Sequence, residues 1–152
     1  MKLSNHLELM SHALEQARLA KKKDEVPIGA VVSSISGKII SKAYNLTISL
    51  SDPTAHAEII AIRKAAKIIG NYRLTDTILY ITIEPCVMCM GAAIHARIKQ
   101  IVFGASDPKW GAAGSMYAFH NDTRFNHNPE ILKGIMENQC RNIIEYFFKK
   151  KR

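Results

Sequence analysis

One histidine, one glutamate and two cysteines carry the residue types that metal-assisted hydrolysis needs. Cys86 and Cys89 are three residues apart, so on a helix their sulfurs lie on one face, one turn apart. Pro85 suits the first turn of such a helix, whose free N–H groups favour the thiolate form that binds metal. Two thiolates and one neutral nitrogen would form a three-ligand site with an open fourth position, which is typical of catalytic zinc.

His56 is the natural third ligand, and Glu58 lies two residues beyond it. Residues two apart on a helix point about 200° away from each other, so the two side chains are not expected to hold the same ion. A carboxylate beside the metal can instead move protons to and from a bound water. A lone histidine at a helix start is more often a core or capping residue, but the two cysteines favour the ligand interpretation.

Composition limits the class of protein. The chain has 152 residues, 47% hydrophobic and 22% charged, which predicts one domain over residues 1–152 with a core of its own. No apolar run approaches the roughly 20 residues of a membrane span, so no membrane partner is expected. Three cysteines, two of them in one C-x-x-C, do not indicate a disulfide framework and predict a cytoplasmic location.

Hydrophobic patterning predicts alternating helices and strands that position these residues. On the first helix, Leu3, Leu7, Met10, Leu14 and Ala17 form the expected inner face. Parallel pairing is expected for the last two strands, because a helix connects them. Ligands of such sheets bind where the strands end, which is where both metal-bearing helices would begin. The predicted helices are 4–22, 52–69 and 85–96, and the predicted strands are 28–33, 39–43, 77–83 and 99–104. A last helix is expected after residue 131, with one face formed by Ile135, Met136, Cys140, Ile143, Ile144 and Phe147.

Three positions allow two interpretations from local rules alone. Gly29 either starts a strand or lets the backbone approach a ligand. Asn45 is more often a turn residue than a binding residue. Trp110 lies in an irregular loop, where it either packs on the surface or stacks on a base.

The combination of H-x-E with P-C-x-x-C resembles the zinc nucleoside and nucleobase deaminases. Longer stretches resemble the bacterial tRNA-specific adenosine deaminases over nearly the whole chain. These stretches are EVPIGA at 25–30, DPTAHAE at 52–58, EPCVMC at 84–89, FGA at 103–105, Asp107, Lys109, GAAGS at 111–115 and the final Phe147-Phe148 with its basic residues.

This resemblance implies a fold and an activity. The fold class would be α/β, a three-layer α/β/α arrangement with a central mixed sheet of about five strands, as in cytidine deaminases. A fifth strand near 127–131 is implied there, although Asn128-Pro129 resembles a helix start by local rules. The activity would be hydrolytic deamination of adenosine to inosine at the wobble position of a tRNA anticodon.

The resemblance also implies site residues, a cofactor and partners. One Zn²⁺ per subunit would be held by His56, Cys86 and Cys89, with Glu58 as the catalytic proton shuttle. The partner would be the anticodon stem-loop of an arginine tRNA with an ACG anticodon, and the enzyme would be a homodimer. The substrate-binding residues would be Ile28, Asn45, Ala57, Asp107 and Phe148.

A net charge of +8 indicates a polyanionic partner. Lysines 21–23 and the basic residues 149–152 form two runs, each of which alone is more often a solvated helix end. Beside a base-modifying site, these runs favour contact with RNA. Phe147 and Phe148 precede the second run, and one of them should pack inward while the other is free to touch substrate.

Two rival functions share some of these features. A deaminase of a free base or nucleotide, such as guanine or cytosine, would use the same metal chemistry. A structural-zinc RNA-binding module would need a fourth protein ligand, for which His95 and Cys140 are the only candidates. Cys140 is more readily interpreted as a small buried hydrophobic residue.

Overall fold

The chain forms a five-stranded mixed sheet with helices on both faces. A computed structural model describes residues 1–152. The predicted three-layer α/β/α class is confirmed, and no helix is long and apolar enough to cross a membrane. The elements are α1 (Leu3–Lys22), β1 (Gly29–Ser34), β2 (Ile39–Tyr44), α2 (Ala57–Ile69), β3 (Thr77–Ile83), α3 (Val87–His95), β4 (Gln100–Ala105), a 3-10 turn (Phe119–Asn121), β5 (Glu130–Lys133) and α4 (Glu137–Lys151).

The strand order β2-β1-β3-β4-β5 brings the candidate site together. Strand β1 is antiparallel to β2 and β3, whereas β3, β4 and β5 are parallel to one another. The start of β1 and the ends of β2, β3 and β4 therefore lie at the same edge of the sheet. We call this the carboxyl edge, and it is the edge at which parallel sheets bind ligands.

Alternation along β3 explains its nearly continuous apolar sequence. Ile78 and Tyr80 belong to the core cluster beneath α1 and α4, whereas Leu79 and Ile81 belong to the cluster beneath α2 and α3. A strand covered on both faces needs apolar side chains at every position. This double burial fixes the strand that leads directly into the cysteine-bearing helix.

Helix α1 corrects part of the predicted inner face. Leu3 and Leu7 are exposed, at 62% and 41% of their surface, because the face that packs on the sheet is turned toward His6, Leu9 and Ala13. The buried face instead includes Met10, Leu14 and Ala17 as predicted, together with His6, Leu9, Ala13 and Ala20.

Gly29 serves helix packing. A Cβ added there would lie 1.9 Å from the Ala13 carbonyl oxygen and 2.6 Å from the Ala17 backbone nitrogen. The absence of a side chain therefore lets α1 lie directly on β1. Of the two interpretations left open by the sequence, the strand start is the one that the contacts support.

Two helices start later than predicted. Helix α2 begins at Ala57 and not near 52–54, because the Asp52 carboxylate accepts the Thr54 backbone N–H at 2.8 Å in a local turn. Helix α3 begins at Val87, so Cys86 precedes the helix. The buried residues of α2 are Ala57, Glu58, Ala61 and Ala65, while Ile69 at its end is 44% exposed.

The fifth strand implied by the resemblance is present at Glu130–Lys133, parallel to β4. Local rules favoured a helix start at Asn128-Pro129, but pairing with β4 overrides them. The pairing covers the edge that β4 would otherwise expose.

Candidate metal and substrate site

Two helix starts supply the candidate metal ligands. His56 is the N-cap residue of α2, and Cys86 is the N-cap residue of α3. Cys89 lies in the first turn of α3, which brings its sulfur back toward the helix start. Both helices follow loops at the carboxyl edge, so the positive ends of two helix dipoles meet at the three side chains.

The three donor atoms have the spacing of a metal centre. The His56 Nδ1 atom lies 3.8 Å from the Cys86 sulfur and 3.6 Å from the Cys89 sulfur. Tetrahedral zinc, with bonds of about 2.3 Å to sulfur and about 2.0–2.1 Å to nitrogen, requires a nitrogen-to-sulfur separation of roughly 3.6 Å. The donor positions therefore fit a zinc ion, and the mixed thiolate and imidazole set suits that metal.

The three candidate ligands are shielded from solvent on one side only. Cys89 is fully buried, whereas Cys86 and His56 are partly exposed. No fourth Cys, His, Asp or Glu belongs to this group. The arrangement therefore resembles a catalytic site with an accessible position, not a closed structural one.

Hydrogen bonds and burial shift the titration of the ligands. The pKa of Cys86 is lowered to about 4 because the Cys89 thiol and the His56 ring hydrogen-bond to its thiolate. The pKa of Cys89 is raised because it donates to Cys86 and is buried. Hydrogen bonding to Cys86 raises the pKa of His56 against the opposing effect of burial. Cys86 is thus stabilised as a thiolate, and a bound metal would hold Cys89 as a second thiolate and His56 as the neutral imidazole.

Glu58 lies beside this group without joining it. The residue is 3% exposed and belongs to the first turn of α2. Burial raises the pKa of its carboxyl to about 7. The prediction that His56 and Glu58 point apart on one helix used the wrong geometry, because His56 has extended backbone angles and precedes the helix. The donor atoms that converge are those of His56, Cys86 and Cys89, and the separate role of Glu58 stays a prediction.

Three of the predicted substrate-binding residues form one connected group beside His56. The Asn45 backbone N–H donates to the Ile28 carbonyl at 3.2 Å. The Asn45 side-chain oxygen accepts the Ala57 backbone N–H at 2.8 Å. Asn45 follows β2 and is buried, and its side chain accepts the first backbone N–H of α2. Its Nδ2 atom donates to no protein atom.

The remaining predicted residues lie further around the same edge. Asp107 follows β4, and its Oδ1 atom accepts the backbone N–H groups of Lys109 and Trp110 at 3.0 and 3.2 Å. Trp110 is 69% exposed, so it is not a packed aromatic residue. Phe147 is buried and Phe148 is 45% exposed, as predicted for the pair. Phe148 lies on α4, which packs against β4, β3 and α1 on the face of the sheet opposite α2 and α3.

The candidates for a fourth ligand lie elsewhere. Cys140 is fully buried on the opposite face of the sheet, where burial raises its pKa to about 12. His95 is exposed at the last position of α3. The interpretation of Cys140 as a hydrophobic residue is confirmed by its place in the core.

Two buried carboxylates at this edge had no role in the sequence interpretation. Glu25 and Glu84 are 0% and 2% exposed, and both accept backbone N–H groups from loops that flank the site. Both occur in the stretches that carried the family resemblance. Their position shortly before a proline is the only local signal.

Comparisons with known proteins agree with this geometry. The family model of MafB19-like deaminases matches residues 4–152. The tRNA-specific adenosine deaminase of Haemophilus influenzae is 49% identical over 145 residues, which cover 95% of this chain and 84% of that protein. The chain belongs to the tRNA-specific adenosine deaminase family. It is therefore an enzyme, a hydrolase of the deaminase superfamily.

Solved structures of deaminases share the fold of this family member. One comes from a study of A-to-I editing by tRNA deaminases at the wobble position of transfer RNA. It is 43% identical, has a TM-score of 0.86, and covers 90% of this chain and 98% of its own. A guanine deaminase from Bacillus subtilis is 39% identical with a TM-score of 0.65, covering 75% of this chain and 73% of its own.

Proposed function

We propose that residues 1–152 form one zinc-dependent deaminase domain that converts adenosine to inosine at the wobble position of a tRNA anticodon. The observation that carries the proposal is the meeting of His56, Cys86 and Cys89 at two helix starts, with the buried Glu58 carboxyl two residues beyond His56. Similarity to the Haemophilus relative and to the structure studied for wobble editing supports the choice of substrate.

One zinc ion per subunit fits the three donors. His56 would bind it through Nδ1, and Cys86 and Cys89 through their sulfurs, because these are the atoms that converge. When bound, zinc supplies Lewis-acid polarisation of a water molecule. The helix starts contribute further positive potential, which favours thiolates at this position.

Glu58 would carry the protons of the reaction. Its carboxylate accepts a proton from the attacking water and delivers it to N1 of the adenine ring as the water oxygen bonds to C6. It then transfers the second proton of that water to the amino group, which leaves C6 as ammonia. Glu58 ends in its starting form, and water has replaced ammonia on the purine.

The residues around Asn45 would receive an adenosine that has left its base stack. Extrusion costs least in a single-stranded loop such as the anticodon. Asn45 offers a side-chain N–H donor whose position is fixed by its own bond to Ala57. Ile28 would contribute partly exposed apolar surface, Asp107 a carboxylate oxygen, and Phe148 an exposed aromatic ring. Ala57 is fully buried and would act by fixing Asn45 through its backbone N–H.

The fold joins the two basic runs into one surface. The Lys21 and Lys150 ammonium groups lie 4.5 and 5.0 Å from the centre of the Tyr146 ring. Lys151 pairs with Asp24 at 2.6 Å, which ties the end of α4 to the loop before β1. This surface therefore lies next to the carboxyl edge, where it would contact the phosphates of the anticodon stem-loop.

The finer assignments follow from the same proposal. The tRNA would be the arginine tRNA with an ACG anticodon, the active form a homodimer, and the location the cytoplasm. These assignments are those implied by the family, whose Haemophilus member is named for its tRNA substrate.

Removal of charge from the basic surface should weaken RNA binding without affecting the metal site. Lys21→Gln with Lys150→Gln should reduce the slope of log binding constant against log salt by about 0.7–0.9 per lysine that contacts a phosphate. Binding of an anticodon stem-loop measured at several salt concentrations gives this slope. The matched control is Lys67→Gln with Lys99→Gln, two exposed lysines at the opposite edge. An equal change in both variants would contradict the assignment.

A panel of substrates tests the function. The zinc-loaded protein is incubated with an anticodon stem-loop that carries a wobble adenosine and, separately, with free adenosine, cytidine and guanine. Conversion of the stem-loop alone is expected. Conversion of free guanine, the substrate named for the Bacillus subtilis structure, would keep the metal site and overturn the assignment of RNA as substrate. No conversion with zinc bound would favour a binding module.

A further inference from the structure

A loop at the carboxyl edge surrounds the Glu84 carboxylate and donates hydrogen bonds to it. Its Oε2 atom accepts the Asp107 backbone N–H at 2.9 Å, and its Oε1 atom accepts those of Ala113 and Ser115, each at 3.0 Å. The Ser115 hydroxyl also donates to Oε2. Glu84 is 2% exposed and forms no ion pair. A buried carboxylate is costly unless it is hydrogen-bonded, so the loop donors are what stabilise it.

Residues 107–115, which we call the Asp107 loop, are built closely around this carboxylate. A Cβ added to Gly111 would lie 2.3 Å from the Glu84 Cδ atom and 2.5 Å from the Asp107 carbonyl oxygen. Only glycine therefore fits at this position. The Gly111 backbone N–H donates to that same carbonyl at 2.9 Å. The path of the loop thus depends on the group that it encloses.

The segment that carries Glu84 also carries a metal ligand. Cys86 forms an antiparallel bridge with Gly111, and the Ala112 backbone N–H donates to the Pro85 carbonyl at 2.9 Å. Any displacement of the Asp107 loop relative to Glu84 would change its distance from the metal-binding group. The contacts therefore fix Asp107 relative to Cys86.

We propose that Glu84 is a positioning residue for substrate recognition, acting through Asp107. Glu84 holds the backbone of Asp107, while Lys109 and Trp110 occupy the Oδ1 atom of its side chain. The Oδ2 atom accepts no hydrogen bond within the protein, so it is the atom available to the substrate nucleotide. This inference rests on the proposed function, in which Asp107 helps to hold that nucleotide.

Glu25 provides a matched control because it has the same chemistry on the other side of the site. Its carboxylate accepts the backbone N–H groups of Ser49 at 2.6 Å and Ile48 at 3.2 Å. It is fully buried, and its loop follows Asn45, not β4. Loss of Glu25 should therefore disturb a different loop and leave the Asp107 loop in place.

A double-mutant cycle distinguishes positioning of Asp107 from general stability. Glu84→Gln keeps the size of the side chain but replaces one acceptor oxygen with an NH₂ group. That group cannot accept hydrogen bonds from the backbone N–H donors of the loop. We expect Glu84→Gln and Asp107→Ala each to raise KM for the stem-loop by about tenfold, with the double variant no worse than either alone. For Glu25→Gln combined with Asp107→Ala, the fold-increases in KM of the two single variants should instead multiply. Multiplicative effects for Glu84→Gln, or a fall in kcat with KM unchanged, would overturn the proposal.

Amide hydrogen exchange gives a readout that does not depend on the reaction. Glu84→Gln should speed exchange at Asp107, Ala113 and Ser115, whereas Glu25→Gln should speed exchange at Ile48 and Ser49. If the unaltered protein forms no inosine but this pattern appears, the proposed function fails while the loop contact stands. If inosine forms but the cycle is multiplicative, the positioning role alone fails.

Ser115→Ala is a milder variant for use if Glu84→Gln does not fold. It removes one hydroxyl donor to Glu84 from a residue with an exposed surface. A smaller rise in KM that disappears in the Asp107→Ala background is expected. A rise that persists in that background would overturn the proposal.

Discussion

Glu58→Gln should lower the rate of inosine formation by about 10²–10⁴-fold, the usual contribution of a positioned proton-transfer group. Glutamine keeps the volume of this buried side chain but cannot accept the proton of water. Because the ligand atoms belong to His56, Cys86 and Cys89, the zinc content should stay at one ion per subunit. Single-turnover deamination of the anticodon stem-loop measures the rate, and elemental analysis measures the metal.

Glu58→Ala should likewise abolish turnover with zinc still bound. A suitable control is Glu8→Gln, which makes the same chemical change on an exposed face of α1 and should leave both quantities unchanged. Retained activity in either Glu58 variant would remove Glu58 from the proton-transfer role. Loss of zinc in both would assign it instead to the metal site.

Cys89→Ala should remove the metal and with it the activity. The variant leaves two of three ligands, so the purified protein should contain far less than one zinc ion per subunit. Loss of the polarisation that zinc supplies, worth several kcal/mol, corresponds to a rate lower by about a thousandfold or more. Zinc content after dialysis and inosine formation on the stem-loop are the two measurements.

Cys140→Ala is the matched control, since Cys140 is also a free and fully buried thiol. It lies on the other face of the sheet, so the variant should keep zinc and activity. A fall of about 1 kcal/mol in the free energy of unfolding is expected from the lost packing. Loss of zinc in Cys140→Ala, or a full complement of zinc in Cys89→Ala, would contradict the ligand assignment.

Chemistry was the most predictable part of this chain from its sequence. Histidine, glutamate and cysteine at this spacing indicate a metal site, because this combination of residue types has few chemical roles other than binding a metal and moving protons. The apolar run at 77–83 indicated a strand covered on both faces, and the structure places it there. These predictions depend on local pattern alone, and so they could be made without knowledge of the fold.

The start of α2 could not be predicted, because a residue distant in sequence accepts the first backbone N–H of the helix. Asp52 and Thr54 satisfy the local rules for a helix start, yet they form a separate turn. The Ala57 N–H is accepted by Asn45, which is 12 residues away in sequence. No local rule identifies such a partner, and the error moved the predicted helix start by about one turn.

The role of Glu84 was hidden for a similar reason. Its partners are backbone N–H groups as far as Ser115, 31 residues along the chain. Backbone donors are the same for every residue type except proline, so the sequence carries no sign of them. Only the folded arrangement of β3 and β4 brings that loop to the carboxylate.

The central claim is the conversion of one defined adenosine in tRNA, and mapping of inosine tests it most directly. Arginine tRNA with an ACG anticodon is incubated with the zinc-loaded protein, digested with nucleases and analysed by mass spectrometry. The account predicts inosine at the wobble position and at no other adenosine of the molecule. Inosine at other positions, or unchanged tRNA with one zinc ion bound per subunit, would contradict it.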